Sequence, residues 1–194
     1  MFCSKDFSLG GFNFTIRPCQ PEDDLATYRN MFIANDCMIN IGKEREDEDM
    51  IKCGEEYCRG AFKAELSSYD ALMKVFGNND SVFWVLVDRD SNDIVGSVAL
   101  ERKDGNMGEL RRMVTSHKYR RKGVGTAIVR FLLDYAKSKG LIKVNLSTPA
   151  VNIPGIKMYE GAGFLHTGDE NYPLSDTVSV GIRKLSYDLQ SHLL

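Results

Sequence analysis

Arg120-Arg121-Lys122-Gly123-Val124-Gly125-Thr126 is the stretch on which the fold turns. The first turn of a helix leaves backbone N–H groups unpaired and carries partial positive charge, so glycines placed there let an anion approach closely. The apolar positions that follow are Val124, Ala127, Ile128, Phe131, Leu132 and Tyr135, spaced i, i+3, i+4, i+7, i+8 and i+11, with Gly140 as the stop. The segment therefore predicts an anion site, phosphate above all, at the start of an amphipathic helix. It is not a P-loop, because no Lys followed by Ser or Thr succeeds the second glycine. The dinucleotide fingerprint fails at Ile128, where its third glycine belongs. No G-x-S-x-G nucleophile elbow is present.

Upstream of the loop, Glu109–Thr115 reads as a strand, preceded by the turn Asp104-Gly105-Asn106. Before that, Val82–Val87 and Ile94–Leu100 read as an antiparallel hairpin. Phe12–Ile16 alternates apolar and polar residues and stops at Arg17-Pro18, which predicts a first strand. Pro21-Glu22-Asp23-Asp24 predicts a helix start with acidic residues in its first turn. The charge run Lys43–Asp49 leads into helical sequence to about Phe76 and reads as a solvated helix face. Downstream, Ile142–Leu146 is a strand, Asn152 caps a short helix through Tyr159, and Phe164 with Thr177–Leu185 supplies the last strands. Helices and strands intermix without repeat or linker, so residues 12–194 are expected to form a single α/β domain behind an N-terminal extension, residues 1–11.

At 43% hydrophobic and 27% charged residues, the composition excludes wholesale disorder. The formal net charge of −2 argues against a surface built for nucleic acid, so any basic site must be local. Such a site exists: from Arg111 to Arg130 there are seven Lys or Arg residues and no acidic one. No aromatic stacking pattern accompanies it, and no nucleic-acid partner is expected. Cys3, Cys19, Cys37, Cys53 and Cys58 have neither C-x-x-C spacing nor nearby histidines, which points to reduced thiols and no metal. The strongest apolar run, Val82–Val87, is far short of the roughly 20 residues of a membrane span, and residues 1–12 have no signal-peptide pattern. A cytoplasmic protein without membrane contact is the expectation, with the nucleus left open.

The R-x-x-G-x-G pattern of Arg120–Gly125 resembles the acetyl-coenzyme A loop of the GNAT superfamily of N-acetyltransferases. Two further features carry the resemblance. Asn152 stands seven residues before Tyr159, and Tyr159-Glu-Gly-Ala-Gly-Phe164 is similar to the family's Y-E-x-x-G-F ending. Glu109-Leu-Arg-Arg-Met113, Phe83-Trp84-Val85 and Leu146-Ser-Thr look most like the camello-type branch, which includes cysteine-conjugate and aspartate N-acetyltransferases. Members of that branch carry a hydrophobic membrane segment that has no counterpart here. The resemblance implies a mixed, mostly antiparallel sheet of six to seven strands, flanked by helices and splayed between the fourth and fifth. It also implies transfer of an acetyl group from acetyl-CoA to a primary amine in a ternary complex. The acceptor would be an amino acid, an amino-acid conjugate or a polyamine. A protein lysine or N-terminal acetyltransferase and a non-catalytic acyl-CoA-binding module stay open, as does a homodimer.

Carried over residue by residue, the resemblance assigns Met113, Val114 and Thr115 to the pantetheine arm. Arg120, Arg121, Lys122, Gly123, Val124, Gly125 and Thr126 go to the phosphates, and Asn152 and Tyr159 complete the cofactor set. Tyr159 is the expected general acid for the departing thiolate, since a phenol with pKa near 10 holds its proton at neutral pH. Glu109 is either the general base that an ammonium acceptor needs or a structural partner of Arg111 or Arg112. His117 and His166 read as exposed loop residues, and no cysteine is expected to carry an acetyl group.

Overall fold

The computed structural model describes residues 4–173 and 179–190, which leaves Cys3 outside. Its strands are β1 (Lys5–Leu9), β2 (Phe12–Pro18), β3 (Val82–Asp88), β4 (Ile94–Lys103), β5 (Met107–Thr115), β6 (Lys143–Pro149), β7 (Leu165–Pro173) and β8 (Ser179–Asp188). They form one sheet in the order β1-β2-β3-β4-β5-β6-β8-β7, antiparallel throughout except between β5 and β6. The helices are α1 (Leu25–Asn35), α2 (Cys37–Arg45), α3 (Glu48–Ala64), α4 (Tyr69–Phe76), α5 (Val124–Ser138) and α6 (Ile153–Gly161).

The sheet buries both faces, which is why β3 reads as a continuous apolar run rather than an alternating one. Trp84 and Leu86 pack on the α5 side, where Trp84 meets the rings of Phe131 and Tyr135 edge-on. Phe83, Val85 and Val87 pack on the opposite side with Tyr28, Leu72 and Phe76 of α1 and α4.

Three features depart from the sequence expectation. Lys5–Leu9, expected to be an extension, pairs with β2 from Lys5↔Ile16 to Leu9↔Phe12 and makes an eighth strand. Gly10 and Gly11 close this hairpin, both at positive φ, as a tight two-residue turn requires. The residues Pro21–Asp24 precede α1 rather than fill its first turn. Asp24 caps the helix by accepting from the Ala26 N–H, while Asp23 pairs with Arg17 at 2.7 Å. The charge run Lys43–Asp49 is a corner and not one helix face: α2 ends at Arg45, Glu46 turns left-handed, and the Asp47 carboxylate accepts from the Met50 N–H at 2.9 Å to start α3.

Two irregularities shape the centre of the sheet. Strands β5 and β6 pair only over Met107–Glu109. From Leu110 onward β5 bonds to β4 alone while β6 continues with β8. This is the expected splay, now between the fifth and sixth strands because β1 has been added. Within β5, Ser97 pairs with Val114 and Ala99 with Arg111, so Arg112 and Met113 together oppose Val98 in a bulge. Arg112 takes φ +51 there. One extra residue reverses the alternation: Leu110 faces α5 before the bulge, Met113 does so after it, and Val114 turns to the α1 side.

Candidate active site

The splay opens one backbone edge of β5 over Met113–Thr115, with N–H and C=O groups on the side away from β4 that no strand of the sheet takes up. An extended amide-bearing chain could pair there as an added strand. Val114 is buried, so its contribution to such a chain is its backbone. Beyond Thr115 a short 3-10 turn, His117–Tyr119, leads to the loop. The Tyr119 hydroxyl donates to Asp88 at 2.7 Å, which fixes this connection to the end of β3. His117 is exposed.

Gly123 caps α5 in the left-handed region, φ +79, with no side-chain cap. The first helical bond runs from the Ala127 N–H to the Gly123 carbonyl at 3.0 Å. The N–H groups of Val124, Gly125 and Thr126 therefore have no intrahelical acceptor. The Val124 side chain is buried in the core. A Cβ on Gly125 would lie 2.6 Å from the Met158 sulfur and 3.6 Å from Met113 Cε, so the bare glycine lets α5, α6 and β5 converge. Arg121 and Lys122 are exposed. Arg120 is committed internally: its Nε donates to the Thr115 carbonyl and one terminal nitrogen to the Asn35 carbonyl, both at 3.0 Å. These bonds fasten the end of α1 to the end of β5.

Asn152 is likewise a fastening. Its Oδ1 accepts from the Gly155 N–H at 3.2 Å, capping α6, and its Nδ2 donates to Thr148 Oγ1 of β6 at 3.0 Å. The cap aims α6 so that Tyr159 is buried against Phe164. The Tyr159 hydroxyl has no hydrogen bond among the described residues. Burial pushes its pKa up from the ordinary phenol value, and nearby Cys37 and Tyr57 add to the shift, so the proton is held through neutral pH.

The opposite wall is a closed network of charges. The Glu65 carboxylate, at the C-terminus of α3, accepts from Arg111 at 2.6 Å and from Arg112 Nε at 2.9 Å. Arg111 also pairs with Glu101 at 2.5 Å, and Lys103 bridges Glu101 at 2.6 Å and Glu109 at 3.2 Å. Arg112 donates to the Tyr57 hydroxyl at 2.6 Å, and its backbone carbonyl accepts from the buried Ser97 hydroxyl at 2.7 Å. Glu109 is thus held by Lys103 and not by Arg111 or Arg112, at the last residue of β5 that pairs with β6. His166 is exposed on β7, 3.0 Å from Asp169. Burial pushes the Cys19, Cys37 and Cys58 thiols up to about 12, which keeps them protonated and poorly nucleophilic.

Sequence reasoning missed Tyr57, Glu65 and Ser97. Each acts through a partner distant along the chain, such as Glu65 with Arg112, so no local motif marks them. No helix among the described residues is long and apolar enough to cross a membrane.

Residues 44–164, more than half of the chain, match the Acetyltransferase (GNAT) family, and the chain belongs to that family. It is 41% identical over 102 residues to "Probable N-acetyltransferase 14" of Xenopus tropicalis, covering 52% of this chain and 48% of that protein. It is 34% identical over 129 residues to the N-acetylaspartate synthetase of Danio rerio, covering 66% of this chain and 43% of that protein. The chain thus spans about half the length of these curated relatives. The crystal structure of spermidine N-acetyltransferase from Vibrio cholerae, in complex with CoA and spermine, shares the fold with a TM-score of 0.62 at 18% identity, over 93% of this chain and 98% of that one.

Proposed function

We propose that the protein transfers an acetyl group from acetyl-CoA directly to a small primary amine within a ternary complex. One observation carries this reading: the open edge of β5 leads to the uncompensated N-terminus of α5, beside a buried tyrosine whose hydroxyl has no partner among the described residues. The residues present fit acetyl-CoA. The backbone of Met113–Thr115 would receive the pantetheine amides. The N–H groups of Val124, Gly125 and Thr126, with exposed Arg121 and Lys122, would receive the diphosphate. Arg120 and Asn152 serve by positioning, through the internal bonds of Arg120 Nε and one of its terminal nitrogens and of the Asn152 amide.

The cosubstrate supplies an activated thioester. Tyr159 gives its proton to the departing sulfur, and its burial keeps that proton available at neutral pH. Glu109 takes the proton of the acceptor ammonium, directly or through water, since an amine with pKa near 10 is only about 0.1% neutral at pH 7. Arg112 leaves one terminal nitrogen without a partner among the described residues, next to the exposed ring of Tyr57. That donor favours an acceptor bearing a carboxylate over a purely cationic polyamine.

The test is calorimetry with CoA, then mass spectrometry of products from amino acids, cysteine conjugates, polyamines and basic peptides offered with acetyl-CoA. Acetylated amino acids or conjugates are expected. CoA binding without any product would make the chain a binding module, and acetylation of peptides alone would make it a protein acetyltransferase.

A further inference from the structure

The last rung shared by β5 and β6 before they part is Glu109↔Asn145. On its other side Asn145 pairs with Ser186 of β8. In-register neighbours in a sheet project to the same face about 4.8 Å apart, so Glu109, Asn145 and Ser186 form one row across β5, β6 and β8. Their chain neighbours fix which face this is: Leu110, Leu146 and Leu185 are buried in the core on the α5 side, so the row lies on the opposite face. Tyr159 belongs to the α5 side as well. The apex of the splay therefore has the buried phenol on one face and Glu109 with Asn145 on the other.

This row is polar and incomplete. Asn145 and Ser186 are half-buried, and neither side chain makes a hydrogen bond among the described residues. Asn152, by contrast, has both ends of its amide bonded. Further along the same face of β6, Ser147 is exposed, and Lys184 across from it is paired with Glu170. A half-buried amide with a strand on each side has its place set by the backbone, and its polar atoms are left for water or a ligand.

Resting on the reading that Glu109 faces the acceptor amine, we propose that Asn145 orients that amine: its Oδ1 accepts one N–H and leaves the nitrogen lone pair turned toward the thioester in the splay. An amide suits this place better than a carboxylate. A carboxylate binds the ammonium most strongly and so favours the form that cannot attack. An amide oxygen accepts from the ammonium and from the neutral amine alike, so it keeps hold of the nucleophile after Glu109 has taken a proton. Asn145 transfers no proton itself.

Steady-state kinetics at neutral pH and saturating acetyl-CoA test this, with the amino acids and cysteine conjugates that wild-type protein acetylates as acceptors. Calorimetry with CoA and circular dichroism accompany each variant. Asn145→Leu removes the accepting oxygen, and kcat/KM for the amine should fall about 10-fold or more while CoA affinity stays within about 2-fold of wild type. Asn145→Asp should lower both KM and kcat, because it binds the ammonium more tightly and holds it charged, a combination that lost packing does not produce. Ser186→Ala, one strand further along the row, should change kcat/KM less than about 2-fold. Wild-type kinetics in Asn145→Leu overturn the proposal. A fall of equal size in Asn145→Leu and Ser186→Ala also overturns it, because the row would then be structural. Should Asn145→Leu fail to fold, the near-isosteric Asn145→Asp decides, and unchanged or raised KM there overturns the orienting role. If wild-type protein binds CoA but acetylates no amine, the proposed function falls and the role of Asn145 falls with it.

Discussion

The two walls of the splay handle charge in opposite ways. On one wall, the acceptor wall under the proposed function, Arg111, Arg112 and Lys103 are matched by Glu65, Glu101 and Glu109 in one continuous set of contacts. On the loop wall, Arg121 and Lys122 form no ion pairs among the described residues, and α5 begins without a side-chain cap. A wall whose charges are satisfied internally is held rigid by its own contacts. One whose cations and N–H groups are left over is completed by an anionic ligand. Disruption of the first should therefore appear as lost stability or altered acceptor chemistry, and disruption of the second as lost cofactor affinity.

Tyr159, buried in the core on the α5 side, should show the largest effect. Tyr159→Phe removes a proton donor without removing the ring that packs on Phe164. It is expected to lower kcat by roughly 10²-fold or more, with CoA affinity by calorimetry nearly unchanged. Wild-type turnover in this variant would leave Tyr159 a packing residue and give thiolate protonation to water.

Glu65 tests the self-sufficiency of the acceptor wall. Its removal leaves Arg112, only 9% exposed, without its carboxylate. Breaking a buried pair in this way costs about 3 kcal/mol or more, so Glu65→Ala should lower the melting temperature by several degrees. The same wall gives an acid dependence. Glu101 is partly buried, which alone would raise its pKa, but Lys103 and Arg111 hold it below the ordinary glutamate value. A carboxylate depressed in the folded state contributes stability above its unfolded pKa and loses it as pH falls through the folded one. Thermal melts should therefore show stability falling below pH about 4.5, the Glu reference region, and Glu101→Gln should flatten that fall. An unchanged acid limb in Glu101→Gln would mean that the network does not stabilise the fold.

The glycines divide the loop wall into binding and packing. Gly123 is exposed and left-handed, so Gly123→Val should reduce CoA affinity about 10-fold or more through backbone strain and obstruction of the N–H groups, with a modest stability loss. Gly125 has Met158 where a Cβ would go, so Gly125→Ala should destabilise by about 1–3 kcal/mol through overpacking. Adding Met158→Ala should recover part of that loss. If Gly125→Ala melts like wild type, the flexible Met158 side chain has moved aside without cost.

The loop wall was legible in the sequence because it is local. R-x-x-G-x-G and the helical periodicity from Val124 to Tyr135 lie within one segment, and Asn152 and Tyr159 sit on one short helix. Roles were harder to read than positions. Arg120 and Asn152 occur where a ligand contact was expected, but their side chains close internal bonds, which depends on the distant Asn35 and on Thr148. The acceptor wall was not legible, because Glu65 meets Arg112 only after α3 packs over the β5 bulge. The first strand was hidden by its brevity and polarity, although Gly10-Gly11 marked the turn.

Glu109 sharpens the comparison most finely, because it belongs to the paired wall by contact and to the chemistry by proposal. Its carboxylate is half-exposed and held by Lys103, an arrangement that suits either a base or a structural link. The pH profile separates them where a single rate does not. If Glu109 removes the amine's proton, Glu109→Gln should be slow at neutral pH and recover partly as pH rises toward the amine pKa, where the neutral acceptor needs no base. If it is only a link, the loss should be small, because a partly exposed ion pair contributes about 1 kcal/mol at most, and the pH dependence should match wild type. Lys103→Met provides the control: it frees Glu109 from its partner but leaves the carboxylate in place. A base should survive that change with its profile intact. A link should lose at least as much from Lys103→Met as from Glu109→Gln, because Lys103→Met breaks the pair with Glu101 as well as the pair with Glu109.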